Sequence, residues 1–282
     1  MINPAARACL RRSYLRVSEV PGRAAYHVAV SSSPVPQVVR LLADPVRWRL
    51  LRELARGDLR VRELVAAAGQ PQNLVSYHLR QLRDAGLVTA RRSSLDARDT
   101  YYSLDLAACS QALASAASDL HASLSPPAGP EVSNGPVAPS RRVLFVCTGN
   151  SSRSPMAEAL LRHRANPWVQ AASAGIRPKP LHPNALAVMR DRYRIDISSH
   201  RPTHVEAVAS QRFDYVISLC DKAREALPDF CGQSARVHWS LPDPAAGDGA
   251  PRYEVFERVA AEIDTRVRFL LPVLARSASP AG

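Results

Sequence analysis

Val143-Leu144-Phe145-Val146-Cys147-Thr148-Gly149-Asn150-Ser151-Ser152-Arg153-Ser154-Pro155-Met156-Ala157-Glu158 is the stretch that decides the fold of the second half of the chain. Its first four residues are apolar, the pattern of a short buried strand. A glycine-containing loop follows, and Pro155 opens a helical run at a first-turn position that proline favours. Cys147 therefore ends a strand, and the loop after it leads into a helix N-terminus. That arrangement turns backbone N–H groups inward as a nest for an anion, and the helix dipole adds partial positive charge. The same field stabilises a thiolate, the form of cysteine that attacks. Arg153 closes the loop with a planar fork suited to a tetrahedral oxyanion, and Ser154 can donate a hydrogen bond to the sulfur. The spacing C-x5-R is weak by itself in an arginine-rich chain. The order strand, Cys, Gly-Asn, Arg-Ser-Pro, helix makes it specific.

The stretch resembles the phosphate loop of the low-molecular-weight protein tyrosine phosphatases and of the arsenate reductases built on the same fold. The resemblance runs from about Arg142 to Leu274. It implies that Cys147 is the nucleophile and Arg153 the oxyanion clamp, that Asn150 holds the loop, and that Ser154 assists the thiolate. Thr148, Gly149, Ser151 and Ser152 complete the oxyanion loop. Ser152 stands where many relatives have a cysteine, so a protective disulfide within the loop is excluded here.

The rest of residues 141–276 alternates strand and helix. Strands are expected at 143–146, 169–174, 215–219 and 237–239, and helices at 155–164, 182–192 and 253–274. Tyr215-Val216-Ile217-Ser218-Leu219 is a nearly continuous apolar run, as buried parallel strands are. The pattern predicts a doubly wound α/β parallel sheet, with ligands at the carboxyl ends of its strands. Cys147 and Cys220 both fall at such ends, and Asp243-Pro244 follows the last strand into the same crevice.

Two chemistries fit this resemblance. In a phosphatase, Cys147 attacks phosphorus, Asp243 protonates the leaving oxygen, and water hydrolyses the phosphocysteine. In a reductase, Cys147 attacks arsenate, Asp243 helps expel water, and a second thiol attacks the Cys147 sulfur. Cys220 stands where the reductases place that second thiol. Asp243-Pro244-Ala245 lacks the tyrosine that usually follows in the phosphatases, and His238-Trp239-Ser240-Leu241-Pro242-Asp243-Pro244-Ala245 is similar to the reductases' version. Thioredoxin-coupled reductases carry a further cysteine seven residues after the second, a position held here by Leu227. Cys231, eleven residues on, is the candidate resolving thiol; otherwise an external thiol system, thioredoxin or mycothiol with mycoredoxin, resolves the pair. No bound cofactor and no metal site are expected.

Residues 34–124 are expected to form a winged helix–turn–helix, mainly α with a β-hairpin. Asp44-Pro45 is a helix cap with proline at the first position, and Gly57 stops the helix it opens. Gln72 to Arg83 is a helix with a polar, hydrogen-bond-rich face, and Leu74, Val75, Leu79 and Leu82 face the core. Such a second helix enters the major groove. Gln72, Asn73, Ser76, Tyr77, His78 and Arg80 are its candidate DNA contacts. His78 is read as a phosphate or packing residue. Residues 87–92 and 100–104 form two strands joined by a polar wing, with Arg91 and Arg92 against phosphate. The segment resembles the winged-helix repressors of the ArsR family through Leu42-Ala43-Asp44-Pro45-Val46-Arg47, Val75-Ser76-Tyr77-His78-Leu79 and Leu82-Arg83-Asp84-Ala85-Gly86-Leu87-Val88. That resemblance implies a homodimer on a palindromic double-stranded operator. The family's Cys-x-Cys metalloid site is replaced by Arg60-Val61-Arg62, and arginines cannot bind As(III), which needs soft thiolates. Cys109 is either a small core residue or a ligand at the dimer interface.

Residues 1–33 are expected to be a disordered tail carrying Cys9, 125–140 a Pro/Gly/Ser-rich linker giving loose coupling, and 277–282 a second tail. The net charge of +12 divides evenly at residue 140, so charge does not say which half meets DNA. Arginine almost wholly replaces lysine, a mark of a GC-rich genome. No apolar run reaches transmembrane length and no signal-peptide core is seen, so a cytoplasmic location is expected. The reading is a DNA-binding regulator fused to an arsenate reductase. A phosphatase fused to a repressor, and a repressor that only senses oxyanions, stand beside it.

Overall fold

A computed structural model describes residues 35–124, 141–165, 168–228, 230, 234–246 and 252–276. Both tails, the linker, Cys9 and Cys231 lie outside the described residues. The N-terminal domain starts with α1 (Gln37–Leu42) and α2 (Pro45–Leu54). Asp44 caps α2, accepting from the amides of Val46 and Arg47 at 2.9 Å each, as the Asp-Pro pair predicts. After β1 (Leu59–Arg60) come α3 (Val61–Ala68) and α4 (Gln72–Asp84). Gly69 makes the turn between them in the left-handed conformation, φ 61°. The wing is β2 (Val88–Arg92) and β3 (Thr100–Leu104), followed by α5 (Leu106–Leu120). β1 adds to β3 as a third antiparallel strand; two residues are too few to show a period, so the sequence does not reveal it. Leu50, Leu64, Val75, Leu79 and Leu82 are fully buried beneath this layer.

The C-terminal domain is built on four parallel strands in the order β5-β4-β6-β7. They are β4 (Arg141–Cys147), β5 (Val169–Gly175), β6 (Tyr215–Ser218) and β7 (Ala235–His238). Val143 to Val146 have no exposure at all, which explains the unbroken apolar run. From β4 the chain moves to β5 on one side and later to β6 on the other, and this reversal opens a crevice at the carboxyl ends. α6 (Arg153–Ala165) packs on β4 and β5 and against α9 (Tyr253–Arg276), which also meets α7 (Pro183–Tyr193). α6 begins two residues before Pro155, which places Arg153 and Ser154 in its first turn. A five-residue helix, α8 (Asp221–Glu225), follows Cys220 directly. No helix among the described residues is long and apolar enough to cross a membrane.

Loose coupling of the domains is not what the structure has. From Val35 onward the chain forms one compact unit. Gly57 lets the turn after α2 press on the end of β7: a Cβ there would lie 3.1 Å from the His238 carbonyl oxygen. The amide of Asp58 donates to that oxygen at 2.8 Å. The Asp58 carboxylate accepts from the Ser240 amide (2.6 Å) and pairs with Arg266 of α9 (3.0 Å). Composition could not show charged groups on two distant segments meeting.

Candidate active site

The loop between β4 and α6 is laced from outside by the segment after β5. The carbonyls of Cys147, Thr148, Gly149 and Ser151 accept from the amides of Ile176, Arg177, Lys179 and His182 at 2.8–3.2 Å. A trans peptide points its N–H opposite its C=O, so these outward carbonyls turn the following N–H groups over Cys147. The Asn150 amide shows the result, donating to Cys147 Sγ at 3.2 Å. Asn150 holds a left-handed backbone, φ 46°. Its side chain fixes that turn: Nδ2 donates to Ser154 Oγ (3.0 Å) and Ser173 Oγ (2.9 Å), and Oδ1 accepts from the Thr203 amide (2.8 Å). Gly175 is required beneath it, since a Cβ would meet the Asn150 nitrogen at 2.7 Å.

Ser154 Oγ lies 3.0 Å from Cys147 Sγ and 3.3 Å from the Ala174 carbonyl. Its single proton serves the sulfur when that is a thiolate and the carbonyl when it is a thiol. Arg153 is buried, 3% exposed. Nη1 donates to the Leu241 carbonyl at 3.2 Å, and Nη2 meets Asp243 Oδ2 at 3.3 Å. Its Nε has no partner among the described residues. A buried guanidinium N–H without a protein acceptor, beside an amide nest, is a donor suited to an oxyanion oxygen. Asp243 remains half-exposed.

Cys220 is 2% exposed, and its Sγ lies 3.3 Å from Thr148 Oγ1, on the residue after the nucleophile. Burial pushes this thiol up from its ordinary value; Arg153 opposes that, Cys147 adds to it, and the Thr148 hydroxyl offsets part. His182 caps α7 through Nδ1 and stacks on Phe256 with ring centroids 4.4 Å apart. Its burial lowers the imidazole from its ordinary value, with Asp243 opposing. Two lysines, the only ones in a chain with 35 arginines, flank the site. Lys179 belongs to the lacing segment and Lys222 is the second residue of α8.

Residues 142–279 match the family model of the low molecular weight phosphotyrosine protein phosphatases, and residues 44–90 that of the bacterial regulatory proteins of the arsR family. The chain is 36% identical over 129 residues to an arsenate reductase of Halalkalibacterium halodurans, covering 45% of this chain and 91% of the relative. The chain belongs to the arsenate reductase family. An arsenate reductase of Shouchella clausii is 35% identical over 128 residues, covering 45% of this chain and 91% of the relative. A solved arsenate reductase from Archaeoglobus fulgidus shares 29% identity with a TM-score of 0.39, covering 46% of this chain and 98% of that one. The reductase domain is thus joined to an ArsR-family helix–turn–helix within one chain.

On α4 of that regulator, Gln72, Asn73, Ser76, Tyr77 and Arg80 are exposed on one face. His78 is not among them. It is 6% exposed, its ring edge-on to Tyr77 and its Nδ1 4.0 Å from Asp44 Oδ1, so of its two readings packing holds and the phosphate contact is corrected. In the wing Arg92 is exposed, but Arg91 turns toward the reductase domain, with Nε donating to the Ser240 carbonyl at 2.9 Å. Cys109 is half-buried against the helical core and its Sγ meets the Leu87 carbonyl at 3.7 Å. Burial, with Asp105 adding, pushes that thiol up to about 11, which disfavours its reactive thiolate form. Sequence reasoning missed Ser173, Glu158 and His200 behind the loop. Ser173 Oγ donates to Glu158 Oε2 at 2.6 Å, and His200 Nε2 lies 3.3 Å from the Asn150 carbonyl. Their spacing carries no motif, and only the fold assembles them.

Proposed function

We propose that the C-terminal domain reduces arsenate to arsenite through Cys147 and Cys220, and that the N-terminal domain binds double-stranded DNA. The observation that carries the first half is the Cys220 sulfur against Thr148 of the oxyanion loop. A phosphatase has no use for a second thiol there. The Cys147 thiolate attacks arsenic held by the loop amides and Arg153. An As–OH oxygen takes a proton from Asp243 and leaves as water. The Cys220 thiolate then attacks Cys147 Sγ. The S–S bond forms as the S–As bond breaks, its electron pair passes to arsenic, and arsenite leaves. Two sulfurs have been oxidised and arsenic reduced by two electrons. An external dithiol, thioredoxin or a mycothiol/mycoredoxin system, restores the thiols, with Cys231 as the candidate relay. The exposed polar face of α4 supports DNA binding. Exposed Val39 on α1 and Leu113 and Leu120 on α5 support a homodimer through that domain.

The test is arsenate-dependent NADPH consumption by the full chain, with each thiol system supplied separately. Turnover is expected in the wild type and lost in Cys220→Ser. If neither tube supports turnover while p-nitrophenyl phosphate is hydrolysed equally by wild type and Cys220→Ser, the domain is a phosphatase instead.

A further inference from the structure

α8 carries Cys220 at its N-cap, and three of its five side chains bond the DNA-binding domain. Glu225 meets Arg60 at 3.1 Å and Arg224 meets Glu63 at 2.6 Å. Asp221, the residue after Cys220, has no exposure. Its carboxylate accepts from the Ser94 amide (2.6 Å) and hydroxyl (3.0 Å) on the wing, and faces Arg91 Nη2 at 3.4 Å. From its own domain it takes Ser240 Oγ (2.6 Å) and His238 Nε2 (3.1 Å). Burial alone would raise this carboxyl. The bonds from His238, Ser240 and the Ser94 amide, with the Arg91 charge, hold it well below the usual carboxylate range. Arg91 also grips Ser240 through both its carbonyl and its hydroxyl. The next residue, Leu241, supplies the carbonyl that orients Arg153. One guanidinium from the wing thus braces both sides of the crevice.

We propose that Arg91 of the DNA-binding domain is a positioning residue for the Cys220 thiol, acting through Asp221 and Ser240. The reductase site is then complete only with the wing seated against it. The inference rests on the reading of Cys220 as the second thiol. A misplacement of about 1 Å at a reacting group costs on the order of a hundredfold in rate, so loss of a bracing cation has room to show. There is also an electrostatic part. Cys220 is faced by Arg153, Cys147 and the Thr148 hydroxyl, and Asp221, its chain neighbour, by Arg91, His238 and Tyr101. Removing Arg91 leaves the charge of Asp221, the residue next to Cys220 in the chain, less compensated, and an uncompensated negative charge disfavours a nearby thiolate.

The experiment uses the full chain in two arms. In the first, wild type, Arg91→Ala and Arg91→Lys are mixed with arsenate without reductant, quenched, and read by mass for the Cys147–Cys220 disulfide. In the second, Cys220 alkylation by iodoacetamide is followed against pH in a Cys147→Ser background, with and without the Arg91 changes. The expected result is disulfide formation about tenfold slower or more in Arg91→Ala, most of it regained in Arg91→Lys, with the Cys220 alkylation midpoint moved to higher pH in Arg91→Ala. Equal rates in wild type and Arg91→Ala would overturn the proposal, as would two equally slow variants with unmoved midpoints. A wild type that forms no disulfide sinks the reductase reading, and the alkylation arm then decides the role of Arg91 alone.

Discussion

Cys220 gives up its proton less readily than an ordinary thiol, because burial disfavours its charged form and Cys147 lies close by. Only the thiolate attacks. The sign is therefore fixed: the step that joins the two sulfurs should quicken as pH rises through the ordinary thiol range and still be rising at pH 8.5. Rapid-quench measurement of disulfide formation across pH checks this, and a rate already level by neutral pH would contradict it. Cys147 and Arg153 were legible in the sequence because their chemistry is local, with strand end, loop and helix start contiguous in the chain. Asn150 was expected to hold the loop only through the family resemblance, and its partners Ser173 and Thr203 lie well away in sequence. Asp221 and Ser240 were not legible, although each adjoins a residue singled out from the sequence. Their partners, Arg91 and Ser94, lie more than a hundred residues away.

At the scale of elements, eight of the α-helices and six of the strands among the described residues announce themselves by period, cap or apolar run. α8 and β1 do not, at five and two residues. Both lie on the seam between domains, where tertiary contacts hold what propensity would not. The turn between α2 and β1 is the other half of that seam. Asp58 is 2% exposed and pairs with Arg266, whose guanidinium also stacks over Trp239 at 5.8 Å. Asp58→Ala leaves Arg266 only the half-exposed Glu262 at 3.0 Å and should cost about 3 kcal/mol, the low end for breaking a buried pair. Asp58→Asn, which keeps an acceptor for the Ser240 amide, should fall in between. Urea unfolding of the full chain measures both, and an Asp58→Ala midpoint equal to wild type would show that the seam contributes nothing to stability.

At the scale of the molecule, even charge between the halves left the DNA-binding half to be recognised by its helix order, and the structure leaves α4 open to solvent while drawing Arg91 and Ser94 of the wing against the other domain. Arg80, exposed on α4, should contribute one phosphate contact. Arg80→Ala is then expected to lower the slope of log affinity against log salt by about one, read by anisotropy on a labelled duplex; an unchanged slope would remove Arg80 from the DNA face. The two lysines beside the site have a practical bearing on the thiols. Cleavage after lysine, by a protease that tolerates the Pro following Lys179, divides the chain into peptides 1–179, 180–222 and 223–282. Cys147, Cys220 and Cys231 fall one into each, with Cys9 and Cys109 sharing the first. With Cys9 and Cys109 changed to serine, a non-reducing digest therefore reports which sulfurs are joined by which two peptides travel together, and successive time points turn the route of two electrons through the protein into an ordered series of masses.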